Sequence, residues 1–274
     1  MYAVIHFDDV EYLHTNAKVE RDIMRNGLLS EEQIENGYFA SGLSHNDNLD
    51  PHVNKSLTEI SEWDGKEYVC IFCTQLYPPE VEQYFGGIKG YTTREQKRIK
   101  AEWVDFLRTN TKALKGVHFR SCLHQDLLEA VCFQEKLETL RIKWGSFSDW
   151  TCLENLKTLK YFSSDGNYSK VSDVSPISKL EELVVLDLVD YKKVKDLSPF
   201  ANLKNLEQLR FAADCKIKDL EFLRQMPNLR DLRISVKLEK NYTLNEIDSL
   251  ITSLPNLRDS YDFFAELKRK IKGE

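Results

Sequence analysis

Leu183-Val-Val-Leu186-Asp-Leu188, Leu206-Glu-Gln-Leu209-Arg-Phe211 and Leu229-Arg-Asp-Leu232-Arg-Ile234 are three copies of one template. A leucine is followed at the third and fifth places beyond it by two more apolar residues. The central leucines stand at positions 186, 209 and 232, evenly spaced along the chain. Leu137-Glu-Thr-Leu140-Arg-Ile142 and Leu156-Lys-Thr-Leu159-Lys-Tyr161 read as earlier copies, and Leu114-Lys-Gly-Val117-His-Phe119 as a faint first one. On this alignment the step from 140 to 159 falls four short of the period, and that from 159 to 186 exceeds it by four. One shortened turn followed by one lengthened loop is therefore expected.

A second element keeps the same phase: Phe147-Ser-Asp149-Trp150, Val171-Ser-Asp173-Val174, Val194-Lys-Asp196-Leu197 and Ile217-Lys-Asp219-Leu220. Two of these continue as Ser175-Pro176-Ile177 and Ser198-Pro199-Phe200. Each copy is thus a short strand and a return segment, and neither can bury its apolar side alone. Stacking the copies aligns the leucines into one continuous core, so the pattern predicts a solenoid.

The pattern resembles the leucine-rich-repeat family, and within it the internalin-like and phosphatase-regulatory class whose repeats read LxxLxLxxNxIxDLxPL. The likeness spans roughly Leu114 to Leu257, about half the chain. It implies an α/β fold: a solenoid with a parallel sheet on its concave side, preceded by a small α/β unit and closed by C-terminal helices. The family sets an asparagine soon after the strand, where its amide bonds backbone along a ladder. Tyr191 and Asp214 fall near that place, and these repeats run one residue longer than the usual form. The resemblance therefore implies the leucine spine, and these departures do not support the ladder.

Both ends of a solenoid expose core and need cover. Thr93–Asn110 reads as a helix with Ile99, Trp103, Phe106 and Leu107 on one face, placed to cover the first repeat. Thr243-Leu-Asn-Glu246 fits a capping box, with Ile247, Leu250, Ile251 and Leu254 at helical spacing behind it. A last helix carrying Phe263, Phe264, Leu267 and Ile271 is expected to close the stack. The division that follows is 1–112 for an acidic N-terminal unit including the 93–110 helix, 113–259 for the repeats and 260–274 for the closing helix.

The N-terminal unit differs in character. Residues 1–90 hold 6 Lys/Arg against 16 Asp/Glu, whereas the whole chain of 274 residues nets −6. Met1–Phe7 and Glu67–Leu76 read as strands, Val19–Asn26 and Ser30–Asn36 as short helices, and Ser41–Ser56 as a loop. Strand, His6-Phe7, helix and Asn26–Ser30 together resemble the opening of ADP-ribosyltransferase-like proteins over about thirty residues. The acidic catalytic residue such enzymes require finds no place, so no catalytic residue is assigned.

Other chemistry has plainer explanations. Cys70-Ile-Phe-Cys73 lacks the second ligand pair of a zinc site and lies in a strand, which sends its thiols to opposite faces. His45–His52 lacks the glycine and closing glutamate of a calcium loop. Gly86–Gly90 is not a phosphate-binding loop. Six dispersed cysteines, no basic-then-apolar leader and no apolar run near ~18 residues read as a reduced, cytoplasmic protein without a membrane span. The acidic balance argues against a nucleic-acid partner, and no metal or cofactor is implied.

In such strands the residues between the leucines point outward, and stacking builds columns. The central column reads His118, Arg141, Lys160, Asp187, Arg210, Arg233; the next Arg120, Lys143, Phe162, Val189, Ala212, Ser235; the preceding one Gly116, Thr139, Thr158, Val185, Gln208, Asp231. These hold 6 Arg/Lys and 2 Asp, a basic stripe around an apolar centre of Phe162, Val185 and Val189, with Tyr168 beside it. The expected function is non-enzymatic binding of a protein with an acidic surface, through Arg120, Arg141, Lys143, Lys160, Phe162, Tyr168, Val185, Asp187, Val189, Arg210 and Arg233. Two alternatives are a small enzyme or effector domain in 1–92 that the repeats direct to a target, and a toxin-neutralising immunity protein.

Overall fold

The computed structural model describes residues 56–80, 89–258, 260 and 263–273, with the backbone of three short strands nearer the N-terminus. Those three, β1 (Ala3–Ile5), β2 (Tyr12–His14) and β3 (Phe39–Ala40), form an antiparallel sheet in the order β2-β1-β3. The expected helices at 19–26 and 30–36, the histidine-bearing loop at 45–52 and the likeness around residues 6–30 lie outside the described residues.

The repeats stack as expected. Tyr68–Ile71 (β4), Gly116–Leu123 (β5), Thr139–Gly145 (β6), Tyr161–Asp165 (β7), Val185–Val189 (β8), Gln208–Ile217 (β9) and Asp231–Leu238 (β10) form one seven-stranded sheet in sequence order. Every neighbouring pair is parallel. Leu140, Leu186, Leu209 and Leu232 are buried in a single apolar cluster that runs from β4 to the last helix. The sheet takes in one strand, β4, that the repeat pattern does not reach.

The return segments form a second layer. β4 crosses to β5 through α1 (Thr93–Thr109), and β5 to β6 through α2 (Gln125–Val131). Later crossings shrink to 3-10 turns at Thr151–Asn155, Ser175–Lys179, Ser198–Asn202 and Glu221–Gln225. α1 buries Ile99, Trp103, Phe106 and Leu107, the face its spacing predicts, and Trp103 donates to the Thr58 carbonyl at 2.8 Å. Its position is that of a crossover beside α2 within this layer. At the other end α3 (Leu244–Thr252) starts with the Thr243–Glu246 capping box. There Glu246 accepts from backbone and hydroxyl of Thr243, and its carboxyl is held down at about 2. α4 (Phe263–Lys272) buries Phe264, with Phe263, Leu267 and Ile271 packed around it.

The repeated aspartates explain how each 3-10 turn begins. Asp149, Asp173, Asp196 and Asp219 each accept the backbone N–H two residues on, at 2.8–2.9 Å. That bond folds the chain back while the intervening Trp150, Val174, Leu197 or Leu220 enters the core. Asparagines do run along the stack, two of them ahead of β9 and β10 and one past α3: Asn205, Asn228 and Asn256 each donate to a carbonyl of the preceding turn at 2.8–2.9 Å.

One alignment is corrected. β6 pairs Leu140 with Phe162, not with Leu159, and β7 in turn pairs Phe162 with Leu186. The copy is therefore Leu159-Lys-Tyr-Phe162-Ser-Ser164. The steps from 140 to 162 and from 162 to 186 each depart from the period by only one place. Leu156 belongs to the return turn, closing the 3-10 helix through its N–H to Leu153. A serine at the third apolar place disguised the copy. Ser164 is buried all the same, its hydroxyl 2.5 Å from that of Tyr191. The expected shortened turn does not occur.

Beside the corrected strand the core packs aromatic rings, Tyr191 among them. Trp150 meets Phe162 edge-on at 5.6 Å and Tyr191 at 4.7 Å. A side-chain carbon on Gly166 would fall 2.8 Å from the Tyr191 ring, so only glycine lets the ring in. Gly145 does the same for Phe147.

Candidate functional site

The sheet face opposite the return layer carries the residues between the leucines, and Cys70, His118, Thr139, Tyr161, Val185 and Asp231 on it are buried. Pairing defines its leading column as Tyr68, Gly116, Thr139, Tyr161, Val185, Gln208 and Asp231, and its central column as Cys70, His118, Arg141, Ser163, Asp187, Arg210 and Arg233. Two residues on from these lie Arg120, Lys143, Asp165, Val189, Ala212 and Ser235.

The three-place correction in β7 changes this face. Phe162 is wholly buried among Trp150 and the leucines and does not lie on this face. Its strand neighbour Tyr161 takes the face instead and forms with Val185 a small buried apolar pair separate from the main core. Thr158 lies in the preceding turn, its hydroxyl donating to the Leu137 carbonyl. Lys160 sits at the leading edge of β7, 3.4 Å from Glu138. Glu67–Lys115 and Glu207–Arg230 repeat that pairing at the same register, at 2.9 and 3.0 Å. Lys160 therefore belongs to an edge ladder of ion pairs.

The stripe is accordingly not continuous. Its basic part is concentrated on β5 and β6, where Arg120, Arg141 and Lys143 surround His118. Burial first, then the charges of Arg141, Arg120 and Lys143, push the His118 imidazolium well below its usual range, so the ring is neutral at pH 7. Cys70 Sγ lies 3.8 Å from its Nδ1. Next along, β7 and β8 contribute Asp165 and Asp187. Burial, with Asp190 and Asp187 nearby, raises the Asp165 carboxyl above its ordinary value. Asp187 is 3.4 Å from Arg210. Basic, acidic and mixed zones thus follow one another across the sheet.

Just past β7 the chain also carries an exposed aromatic residue. Tyr168 is 71% exposed, held in a left-handed backbone conformation (φ 70°). Asp165 accepts the N–H of Asn167 and forms the turn that presents it. Val189, Arg210 and Arg233 are half-buried on the face, and Val185 is nearly closed off. Charge is what this surface offers.

A stack of near-equal strand-and-return units around a leucine spine is a leucine-rich-repeat solenoid, and this chain is one. No protein-family model and no curated protein matches the chain. Among solved structures it is similar to an internalin C2 of Listeria monocytogenes, at 22% identity and a TM-score of 0.43 over 57% of this chain and 73% of that one. An internalin (inlF) of the same organism matches at 18% identity and a TM-score of 0.34, over 65% of each chain. The PEPR1–AtPEP1 structure matches at 16% identity and a TM-score of 0.40, over 53% of this chain and 24% of that one. Among the described residues no helix is long and apolar enough to cross a membrane.

Proposed function

We propose that this chain is a non-catalytic protein-binding module that receives an acidic surface of a partner on the sheet face opposite the return layer. The observation that carries this reading is the convergence of Arg120, Arg141 and Lys143 around a neutral His118 on adjacent strands β5 and β6. Three cations held on a rigid sheet steer an acidic group toward one end of the face, and desolvating them at contact strengthens the attraction. Tyr168, exposed just past β7, supplies a planar apolar contact of the kind enriched at binding centres. The neighbouring Asp165 and Asp187 repel an acidic partner that approaches in the wrong register, which fixes orientation. Six free thiols suit a reducing, cytoplasmic setting.

The test compares bait proteins against lysate of the native source: the intact chain, the triple variant Arg120→Glu/Arg141→Glu/Lys143→Glu, and Tyr168→Ala. A specific partner is expected on the intact chain, lost from the charge-reversed bait in its folded, cooperatively melting form, and released faster by Tyr168→Ala. A partner retained equally by all three baits refutes the reading.

A further inference from the structure

The six cysteines are dispersed in sequence, yet the fold brings two of them together in the return layer. Cys132 ends α2 and Cys152 stands in the next return turn, Thr151–Asn155. Their Sγ atoms are 3.2 Å apart, closer than two sulfurs in ordinary van der Waals contact. Cys132 is 3% exposed, whereas Cys152 is half-buried and reaches solvent. Of the other four, Cys73 is closed in the core, Cys70 faces His118, and Cys122 and Cys215 are buried in the sheet.

We propose that Cys132 and Cys152 are a dithiol–disulfide pair that cross-links the α2 return segment to the next one, with a small-molecule disulfide such as oxidised glutathione as oxidant. Access orders the steps. The Cys152 thiolate attacks one sulfur of the oxidant, the glutathione S–S bond breaks, and the departing glutathione thiolate takes up a proton. The Cys132 thiolate then attacks Cys152 Sγ in the mixed disulfide and expels the second glutathione. Two protein thiols lose two electrons in all, and two glutathione thiols carry the two protons away. Burial raises the Cys132 thiol well above its usual range, which keeps it from the first attack and leaves it the second, intramolecular one. Closing to bond length needs a shift of roughly 1 Å, between two short return segments and outside the sheet. The bond would hold fixed the turn that joins β5 to β6, the strands carrying the basic cluster.

The pair is tested on the full chain, equilibrated over a range of oxidised-to-reduced glutathione ratios, alkylated and measured by intact mass and peptide mapping. Two of the six thiols are expected to disappear together, with a Cys132–Cys152 linked peptide. The melting temperature is expected to rise by about 5–10 °C and to return on adding dithiothreitol. Cys152→Ser should abolish the paired loss, and Cys215→Ser should leave it intact. Six thiols still alkylated under fully oxidising ratios, a lasting glutathione adduct on Cys152, or a linkage elsewhere would each overturn the proposal.

Discussion

The two halves of the solenoid solve the same return problem differently. From β4 to β6 the chain crosses back through true helices, α1 and α2; from β6 onward it does so in short 3-10 turns, each opened by an aspartate. Each 3-10 turn buries only one or two residues of its own, such as Leu153 or Phe200 and Ala201. Every repeat there must commit the same positions to the core, and the central residues at 140, 162, 186, 209 and 232 keep a nearly constant step. A helix brings its own buried stripe and tolerates a range of lengths, so the period dissolves ahead of β5. The helical half also carries Arg120, Arg141 and Lys143, and the 3-10 half carries the Asp187–Arg210 pair. Regularity serves the core; the irregular end holds the candidate site.

If the halves are one cooperative unit, damage to either must melt both. Trp103→Ala in α1 and Trp150→Ala at the first 3-10 turn should each cost about 3–5 kcal/mol, since both indoles are buried. A single calorimetric transition displaced in both variants is expected. Two transitions, each sensitive to one variant, would show two independent halves instead.

Gly166→Ala sharpens the contrast, because it forces a methyl into the buried Tyr191 ring. A loss of about 1–3 kcal/mol is expected; a neutral result would mean that the ring moves freely. Asp196→Ala removes the acceptor that opens one 3-10 turn and should cost about 0.5–2 kcal/mol, as for a helix N-cap. The backbone and side-chain hydrogen bonds from Ser198 lower the Asp196 carboxyl. This contribution is therefore full above the unfolded carboxylate range and fades as pH falls through the folded value. Urea midpoints of the intact chain and Asp196→Ala should differ at neutral pH and converge in acid.

The smallest effect concerns the basic cluster. His118 takes up a proton in the unfolded chain near pH 6.5 but only at lower pH when folded, so its contribution to stability declines as pH drops below about 6.5. Burial is the main cause and Arg141 a lesser one. Arg141→Gln should hence raise the His118 titration midpoint modestly, as followed by its imidazole NMR signals. A midpoint that does not move would separate Arg141 from the cluster.

Much was legible from the chain alone. The even phase of Leu186, Leu209 and Leu232 sufficed for a parallel stack, since only a repeat that buries one stripe against its neighbours keeps such spacing. The aspartate elements, the buried face of α1 and the capping box at Thr243 follow from equally local rules, because each depends on residues a few places apart. The tertiary structure alone decided the register of β7. Leu156 and Leu159 are both apolar and three apart, and choosing between them requires knowing that Ser164 is buried against Tyr191, a distant partner in the next repeat. That choice moved Phe162 into the core, set Tyr161 on the opposite face in a buried pair with Val185 and divided the basic stripe, because a strand's side chains alternate and a shift by an odd number of places exchanges its faces. The strand β4 and the meeting of Cys132 with Cys152 are likewise invisible in sequence, for each arises from chain crossings that bring together segments with no shared local pattern.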